Sequence, residues 1–244
     1  METTIFGPPG TGKTTRLIEI VQQELDSGTR PESIAFVSFS RKAAEEARER
    51  AAAKLHMDVN QMVWFRTLHS FAFQVLGLTT KQVLSGKDYS ELGKLLGLEF
   101  SSNSSVTMAD GLLFSPGKSG DAYMSIIQMA RVKGISVEDQ FNETADRRLH
   151  YQQLKLVNQV LNDYKRKTGK VDFVDMIENF IEQGECPLLD VLIVDEAQDL
   201  VPLQWRMVHE VMKPNAKRIY YAGDDDQCIY SWMGVNVRDF LGAC

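Results

Sequence analysis

The sequence has few cysteines, no long apolar run and no excess of positive charge. Its three cysteines, Cys186, Cys228 and Cys244, are far apart and lack C-x-x-C spacing, which argues against a disulfide framework and a zinc site. No stretch approaches the roughly 20 apolar residues of a membrane span, and the N-terminus lacks the pattern of a signal peptide. We therefore expect a soluble protein in a reducing, cytoplasmic (intracellular) location, with no membrane contact.

Charge and length set further bounds. The chain carries 27 basic and 33 acidic residues, a net charge of -6, so it has no global positive field of the kind that marks purely electrostatic nucleic-acid binders. Any contact with nucleic acid must be local. With 244 residues, of which 43% are hydrophobic, the chain can form one large domain or a core domain with a sizeable insertion.

Five short apolar segments are predicted to be strands, each followed by polar or glycine-rich residues. Near-continuous apolar runs of this kind are typical of a buried parallel sheet, so the predicted fold class is α/β. Residues 14–27, 42–55 and 67–76 have helical patterns. The predicted strands are residues 3–6, 33–39, 62–65, 191–195 and 218–222.

The middle of the chain differs in character, because helical fragments replace strands from about residue 77 to residue 170. A Ser/Gly-rich stretch, residues 101–120, is predicted to be a mobile loop, and a last helix is predicted over 145–168. This organisation indicates a mostly helical inserted subdomain. The predicted division is residues 1–76 and 171–244 for the two parts of the sheet domain, and 77–170 for the insertion.

Residues 7–15 have the spacing of a phosphate-binding P-loop, with a glycine, four residues and then Gly-Lys-Thr. Glycines permit a turn that points backbone N–H groups at phosphate oxygens, while Lys13 reaches the β- and γ-phosphates and Thr14 offers a hydroxyl to Mg²⁺. The alternative is a glycine turn that only caps a helix. The predicted nucleotide-binding residues are Gly7, Pro8, Pro9, Gly10, Thr11, Gly12, Lys13, Thr14 and Thr15.

An acidic pair, Asp195 and Glu196, follows the apolar segment 191–195. In P-loop enzymes a carboxylate at a strand end holds Mg²⁺ and its waters, and the adjacent glutamate orients and deprotonates the attacking water. We assign Asp195 to the metal and Glu196 to the base. Without other motifs, such a pair usually belongs to a solvated loop or caps a helix. The P-loop in the same chain favours the catalytic interpretation.

A third polar stretch follows the apolar segment 218–222. Ligands of open parallel sheets gather at the carboxyl ends of the strands, so Gln227 is a candidate to face the γ-phosphate. Tyr230 and Trp232 lie two residues apart in a polar setting, which suits the stacking of bases. The alternative for both is an ordinary core or surface aromatic residue.

Six segments in this order resemble the motifs of UvrD/Rep/PcrA-like superfamily 1 DNA helicases. Beside the P-loop, residues 38–44 (SFSRKAA) are similar to T-F-T-N-K-A-A, 67–71 (TLHSF) to T-x-H-S/G-F and 172–177 (DFVDMI) to D-F-x-D-L-[IL]. Residues 195–199 (DEAQD) match D-E-[AFY]-Q-D, and 223–230 (GDDDQCIY) match G-D-D-x-Q-S-I-Y with Cys for Ser. The resemblance covers nearly the whole chain, and it implies a RecA-like P-loop NTPase domain interrupted by the helical insertion.

The resemblance also implies an activity: ATP-driven translocation along single-stranded DNA, with unwinding at a junction of single and double strands. The implied ATPase residues are Lys13, Thr14, Asp195, Glu196 and Gln227, with Mg²⁺ held by Thr14 and Asp195. The implied DNA-binding residues are Phe39, Arg41, Thr67, His69, Tyr230 and Trp232, of which Thr67 and His69 lie along the backbone and the aromatic residues stack on or pocket the bases.

The chain ends soon after the last of these segments. We expect a second RecA-like domain, from a missing C-terminal part or a partner, to supply arginines that stabilise the transferring phosphoryl group, and slow hydrolysis without it. Two other interpretations stay open. One is a nucleotide-gated DNA-binding or regulatory module without motor activity, and the other is a clamp-loader-type AAA+ ATPase, which shares the same loop.

Overall fold

The computed structural model describes residues 1–8, 10–101, 117–144, 146, 148–183, 185–224 and 230–242. Within them, five strands form one sheet: β1 (Glu2–Phe6), β2 (Ile34–Ser38), β3 (Trp64–Thr67), β4 (Leu189–Asp195) and β5 (Ala216–Gly223). The strand order is β1-β5-β4-β2-β3, and every neighbouring pair is parallel. The α/β, RecA-like fold prediction with a parallel sheet is therefore confirmed.

The central strands are apolar because both faces of the sheet are covered. All five residues of β2 are buried, as are six of the seven residues of β4. The predicted strand at 62–65 lies two residues too early, because Met62 closes a 3-10 turn by donating its N–H to the carbonyl of Val59 before the chain enters β3.

Successive residues of β4 point to opposite faces and join two different cores. Val191 and Ile193 pack with α1 (Lys13–Asp26) and α2 (Arg41–Leu55) on one face. Leu192 and Val194 pack with α3 (Leu68–Val75), α8 (Phe173–Gln183) and α9 (Pro202–Arg206) on the other. No helix in the described part of the chain is long and apolar enough to pass through a membrane.

The helices are α1 (Lys13–Asp26), α2 (Arg41–Leu55), α3 (Leu68–Val75), α4 (Gly86–Leu96), α5 (Ser119–Lys133), α6 (Val137–Glu143), α7 (Tyr151–Thr168), α8 (Phe173–Gln183), α9 (Pro202–Arg206) and α10 (Val237–Gly242).

The four helices α4 to α7, which lie between α3 and α8 in the sequence, form a third core of their own. Leu92, Ile127, Leu154 and Val157 are its most buried members. The predicted domain boundaries near residues 77 and 170 stay a prediction. Of the predicted loop at 101–120, residues 102–116 lie outside the described part of the chain, and α5 already begins at Ser119.

The prediction of a helix over 145–168 is wrong at its start, because α7 begins at Tyr151. The carboxylate of Asp146 accepts hydrogen bonds from the backbone N–H and the guanidinium of Arg148. A short acidic side chain that bonds the backbone two residues ahead forms a local turn that competes with helix. The turn at Asp146 therefore delays the helix.

Candidate functional site

The predicted site residues come together at one edge of the sheet. Because all the strands are parallel, their carboxyl ends face the same side. In the strand register, Phe6 lies beside Gly223, and Ser38 lies between Asp195 and Thr67. The P-loop, the acidic pair and the TLHSF segment therefore lie along the same carboxyl-terminal side of the sheet, with the P-loop after the edge strand β1, the acidic pair after the central strand β4 and the TLHSF segment after the opposite edge strand β3.

The P-loop has the backbone that its glycines predict. Gly10 and Gly12 have φ values of 79° and 88°, in the left-handed region that favours glycine. A Cβ atom on Gly7 would lie 2.6 Å from Oγ1 of Thr11, which itself donates to the Pro8 carbonyl. The turn is therefore shaped for glycine at three positions. Pro9, also predicted to bind nucleotide, lies outside the described residues.

Lys13 opens α1 and lies over the loop. Its ammonium group donates to the carbonyls of Gly7 and Pro8, and the residue is 8% exposed. The first turn of α1 reads Lys-Thr-Thr-Arg, so positive charge adds to the positive end of the helix dipole. Thr15, in the same turn, is exposed. This N-terminus is suited to bind phosphate.

Thr14 and Asp195 form the predicted metal pair. Oγ1 of Thr14 donates to Oδ2 of Asp195 across 3.2 Å, and Asp195 is 1% exposed. Burial, with the charge of Glu196, raises the pKa of Asp195 to about 6, although a hydrogen bond from the Glu196 N–H opposes the rise. The pair thus joins the first turn of α1 to the end of β4.

Mg²⁺ fits this donor set. The ion keeps several waters and binds one or two protein oxygens together with substrate phosphates. Among the described residues, no three His, Cys, Asp or Glu side chains form a cage for a metal. A hydroxyl and one carboxylate beside a phosphate cradle therefore match Mg²⁺ held on a triphosphate.

Glu196 has a strained backbone. Its φ of 52° and ψ of 43° lie in the left-handed region, which is uncommon outside glycine and costs about 1–3 kcal/mol. The strain turns the chain sharply after β4, so that Asp195 is buried while Glu196 is only partly buried. Two adjacent carboxylates thus have different surroundings.

Gln198 holds the carboxylate of Glu196, a contact that the sequence motifs did not predict. Its Nε2 donates to Oε2 of Glu196 across 2.8 Å, and its Oε1 accepts the backbone N–H of Asp224 across 3.0 Å. Gly223 permits this contact, because a Cβ there would lie 2.5 Å from Oε1 of Gln198. Gln198 is buried, with 4% of its surface exposed. Its place in the DEAQD segment did not indicate that it supports Glu196.

Asp199 is the third acid of this segment. Burial, together with the charge of Glu196, raises the pKa of Asp199 to about 7. Nε2 of Gln198 lies 3.4 Å from its Oδ2. The same amide therefore contacts both Glu196 and Asp199.

The aromatic residues predicted to bind DNA lie in different environments. Trp232 is 52% exposed, whereas Phe39 is 5% exposed and belongs to the main core. The ring of Tyr230 lies 5.2 Å from that of Phe39, between centroids. Gln227, predicted to face the γ-phosphate, lies outside the described residues.

The remaining predicted DNA-binding residues line one cavity. Arg41, Thr67 and His69 form part of the wall of a space of about 570 Å³ between α2, the β3–α3 junction and α8. Thr67 also caps α3, because its hydroxyl oxygen accepts the N–H of Ser70. His69 is 6% exposed, and burial lowers its pKa to about 4, so it is neutral at pH 7.

Known helicases match the chain along nearly its whole length. The ATP-dependent DNA helicase PcrA of Leuconostoc citreum is 26% identical over 258 residues, which cover 97% of this chain and 32% of that protein. DNA helicase II of Haemophilus influenzae is 27% identical over 265 residues, covering 97% and 34%. A probable DNA helicase of Mycoplasma pneumoniae is 25% identical over 264 residues, covering 97% and 46%. The chain thus spans less than half the length of these relatives.

A family model described as the UvrD/REP helicase N-terminal domain matches residues 1–243. This match and the relatives confirm the predicted resemblance to UvrD- and PcrA-like helicases. The chain therefore belongs to the UvrD/REP helicase family.

Proposed function

We propose that this chain is the ATP-binding part of a DNA helicase or translocase, which binds Mg-ATP at the P-loop and single-stranded DNA beside it. The observation that carries the proposal is the bond between Thr14 and Asp195, with Glu196 next to it at the same sheet edge. A phosphate cradle, a metal pair and a candidate base then share one site. The names of the relatives, such as ATP-dependent DNA helicase, support the choice of ATP and DNA.

The cradle residues divide the work of binding. The backbone N–H groups of residues 10–14 and the ammonium of Lys13 hold phosphate oxygens, while Thr14 and Asp195 hold the metal. Bound Mg-ATP supplies a γ-phosphoryl group whose transfer to water releases free energy, with the metal neutralising phosphate charge. Because Lys13 is buried among carbonyl groups, it is positioned for this role before any ligand arrives.

Glu196 acts as the general base in this proposal. Gln198 bonds Oε2, which fixes the carboxylate and leaves Oε1 to accept a proton from the attacking water. Asp195 is unsuited to that role, because it is 1% exposed and bonded to Thr14. The different burial of the two acids therefore assigns one to the metal and the other to the base.

The DNA side of the proposal depends on Trp232. Its exposed ring offers a face on which a base can stack without regard to sequence, which a motor needs. Phe39 is buried against Tyr230, so its role is to support Tyr230 rather than to offer a face of its own. Arg41, with Thr67 and His69 in the same cavity, contacts the backbone of the strand.

A second RecA-like domain, from a longer chain or from a partner, completes the motor in this proposal. Its arginines, with Gln227 of this chain, would stabilise charge on the transferring phosphoryl group, a contribution of about 10³–10⁵ in rate in other P-loop enzymes. The relatives are two to three times as long as the segment that matches, which leaves room for such a domain. A DNA substrate also implies a location inside the cell.

Glu196→Gln tests the proposal. The variant should bind a fluorescent ATP analogue like the wild type, while ATP turnover in the presence of oligo-dT falls by about 10²–10⁴-fold. Glu32→Gln, an exposed site before β2 and at the opposite edge of the sheet, is the matched control and should leave turnover unchanged.

The other outcomes separate the alternatives. Nucleotide binding without measurable turnover in the wild type, even with oligo-dT, would favour the nucleotide-gated binding module. Turnover that ignores oligo-dT would favour an ATPase of another class. Loss of ATP binding in Glu196→Gln would contradict the assignment of Glu196 as a base.

A further inference from the structure

Three arginines line the cavity between α2, the β3–α3 junction and α8. Arg41 and Arg48 come from α2, and Arg66 comes from β3. None of the described cradle residues, 7, 8 and 10–15, and neither residue of the acidic pair, belongs to its lining. The cavity is therefore separate from the proposed nucleotide site.

These arginines have no carboxylate partner in the described part of the chain. Arg66 donates to the carbonyl of Val63 across 2.6 Å and to Oγ of Ser70 across 3.1 Å, and both acceptors are neutral. The Nε atom of Arg48 is buried and has no hydrogen-bond partner among the described residues. Charges withdrawn from water are normally paired, and Arg48 and Arg66, which are both partly buried, lack a counter-charge among the described residues.

The two inner arginines also act on each other. Burial lowers the pKa of Arg66, and the charge of Arg48 lowers it further, which means that the two cations repel. Glu45 is an acid in the same wall, but it is exposed and forms no ion pair with them within the described residues. An anion bound between Arg48 and Arg66 would offset their repulsion and would give both partly buried charges a counter-charge.

His69 adds a neutral polar group to the wall. Its Nε2 atom is buried and, within the described residues, has no hydrogen-bond partner. The side chain is neutral at pH 7, because burial lowers its pKa to about 4. A buried imidazole without a partner in a wall of arginines is a second sign that the cavity is built for a polar ligand.

We propose that Arg48 and Arg66 form a phosphate-binding pair that holds a backbone phosphodiester of single-stranded DNA, with His69 beside it. The inference rests on the proposed function and adds two residues outside the segments that matched helicase motifs. Guanidinium groups bind phosphate through paired, charge-assisted hydrogen bonds, which fix the strand without reading its sequence. The cavity would thus anchor the strand while stacking at Trp232 changes.

The test uses Arg48→Gln and Arg66→Gln in the 244-residue chain, with Arg50→Gln as the matched control. Arg50 is on the same helix and carries the same charge, but it is 53% exposed and paired with Glu46 outside the cavity. Binding of labelled oligo-dT is measured by fluorescence anisotropy between about 50 and 200 mM salt. Arg66→Lys keeps the charge, and thermal unfolding shows that each variant is folded.

We expect each cavity variant to weaken binding about tenfold, since it loses one charge-assisted contact to a phosphate. The slope of log affinity against log salt should fall by about 0.7, the value for one lost contact to a single strand. Arg66→Lys should recover part of the affinity, and Arg50→Gln should leave the slope unchanged.

The outcomes distinguish the two proposals. If the wild type binds oligo-dT and the cavity variants behave like Arg50→Gln, the phosphate pair is wrong and the proposed function stands. If the wild type binds no DNA, the proposed function fails and the phosphate pair fails with it. If inorganic phosphate stabilises the wild type but not Arg66→Gln, while DNA affinity is equal in both, the pair binds a free anion and the DNA assignment is overturned.

Discussion

Replacement of Arg131 should weaken the packing of α5 against α8. The guanidinium of Arg131, on α5, bonds Asp172, Asp175 and Glu178 at the start of α8, with Oδ2 of Asp172 at 2.9 Å. The side chain of Asp172 is only 1% exposed. Lys165 of α7 lies 3.0 Å from the same oxygen. Arg131→Met would therefore leave a buried carboxylate with one cation instead of two.

The expected loss of stability in Arg131→Met depends on which charges remain around Asp172. Removing one partner of a buried ion pair costs about 3–5 kcal/mol, because an uncompensated charge stays behind. Lys165 still faces Asp172, so the lower end of that range, about 3 kcal/mol, is expected. An exposed pair is worth about 0–1 kcal/mol. Arg166→Met is therefore a matched control, since Arg166 on α7 is 80% exposed and bonds only Asp163 among the described residues.

The loss of stability should depend on pH. Burial alone would raise the pKa of Asp172, but Arg131 and Lys165 outweigh it and hold the pKa below its usual value. A carboxylate with a depressed pKa contributes stability that is complete above its unfolded pKa of about 3.9 and is lost as pH falls below that value. The deficit of Arg131→Met should thus be largest at pH 7 and shrink below about pH 4.

Urea unfolding at pH 7 and at pH 3.5 measures both effects. A second variant, Asp172→Asn, keeps the bond that caps α8 at the N–H of Asp175 but removes the charge. Arg131→Met combined with Asp172→Asn should lose less than the sum of the single changes, by more than about 1 kcal/mol. A deficit equal to that of Arg166→Met, or one that grows in acid, would refute the reasoning.

Three further predictions concern the site. Gln198→Leu should lower ATP turnover about tenfold with ATP affinity unchanged, because it frees the carboxylate of the proposed base; steady-state kinetics check this against exposed Gln61→Leu, and equal effects would exclude a positioning role. His69 is protonated in the unfolded chain near pH 6.5 but in the folded chain only near pH 4, so the wild type should lose up to about 3 kcal/mol of stability as the pH falls between these values. His69→Gln should abolish this loss. Urea unfolding checks this, and exposed His150→Gln should leave the dependence of stability on pH unchanged. Trp232→Ala should weaken oligo-dT binding by about 1–3 kcal/mol in an anisotropy titration, and no change would contradict stacking.

The parallel sheet could be predicted because its signals are local. Residues 34–38 and 189–195 are almost wholly buried, so their sequences are apolar at nearly every position, and the same reasoning holds for any buried parallel strand. The P-loop is local as well. Gly10 and Gly12 occupy left-handed conformations that other residues resist, so the backbone requirement appears directly in the sequence.

Contacts between distant segments could not be predicted in this way. Arg48 and Arg66 are ordinary charged residues in sequence, and only the packing of α2 against β3 brings them into one cavity. Phe39 was expected at the DNA, yet the structure buries it, because a motif position does not reveal which face of a loop the core covers. Such features depend on the tertiary arrangement rather than on local pattern.

The hydrogen bond from Gln198 explains how Glu196 keeps its strained, left-handed backbone. A left-handed glutamate persists only when its surroundings hold it, and here Oε2 is bonded by Gln198, whose Oε1 is bonded in turn by the N–H of Asp224. Gly223 lets Gln198 approach the end of β5 this closely, because a Cβ at that position would lie 2.5 Å from Oε1 of Gln198. The carboxylate of the proposed base is therefore tied through one amide side chain to the end of β5.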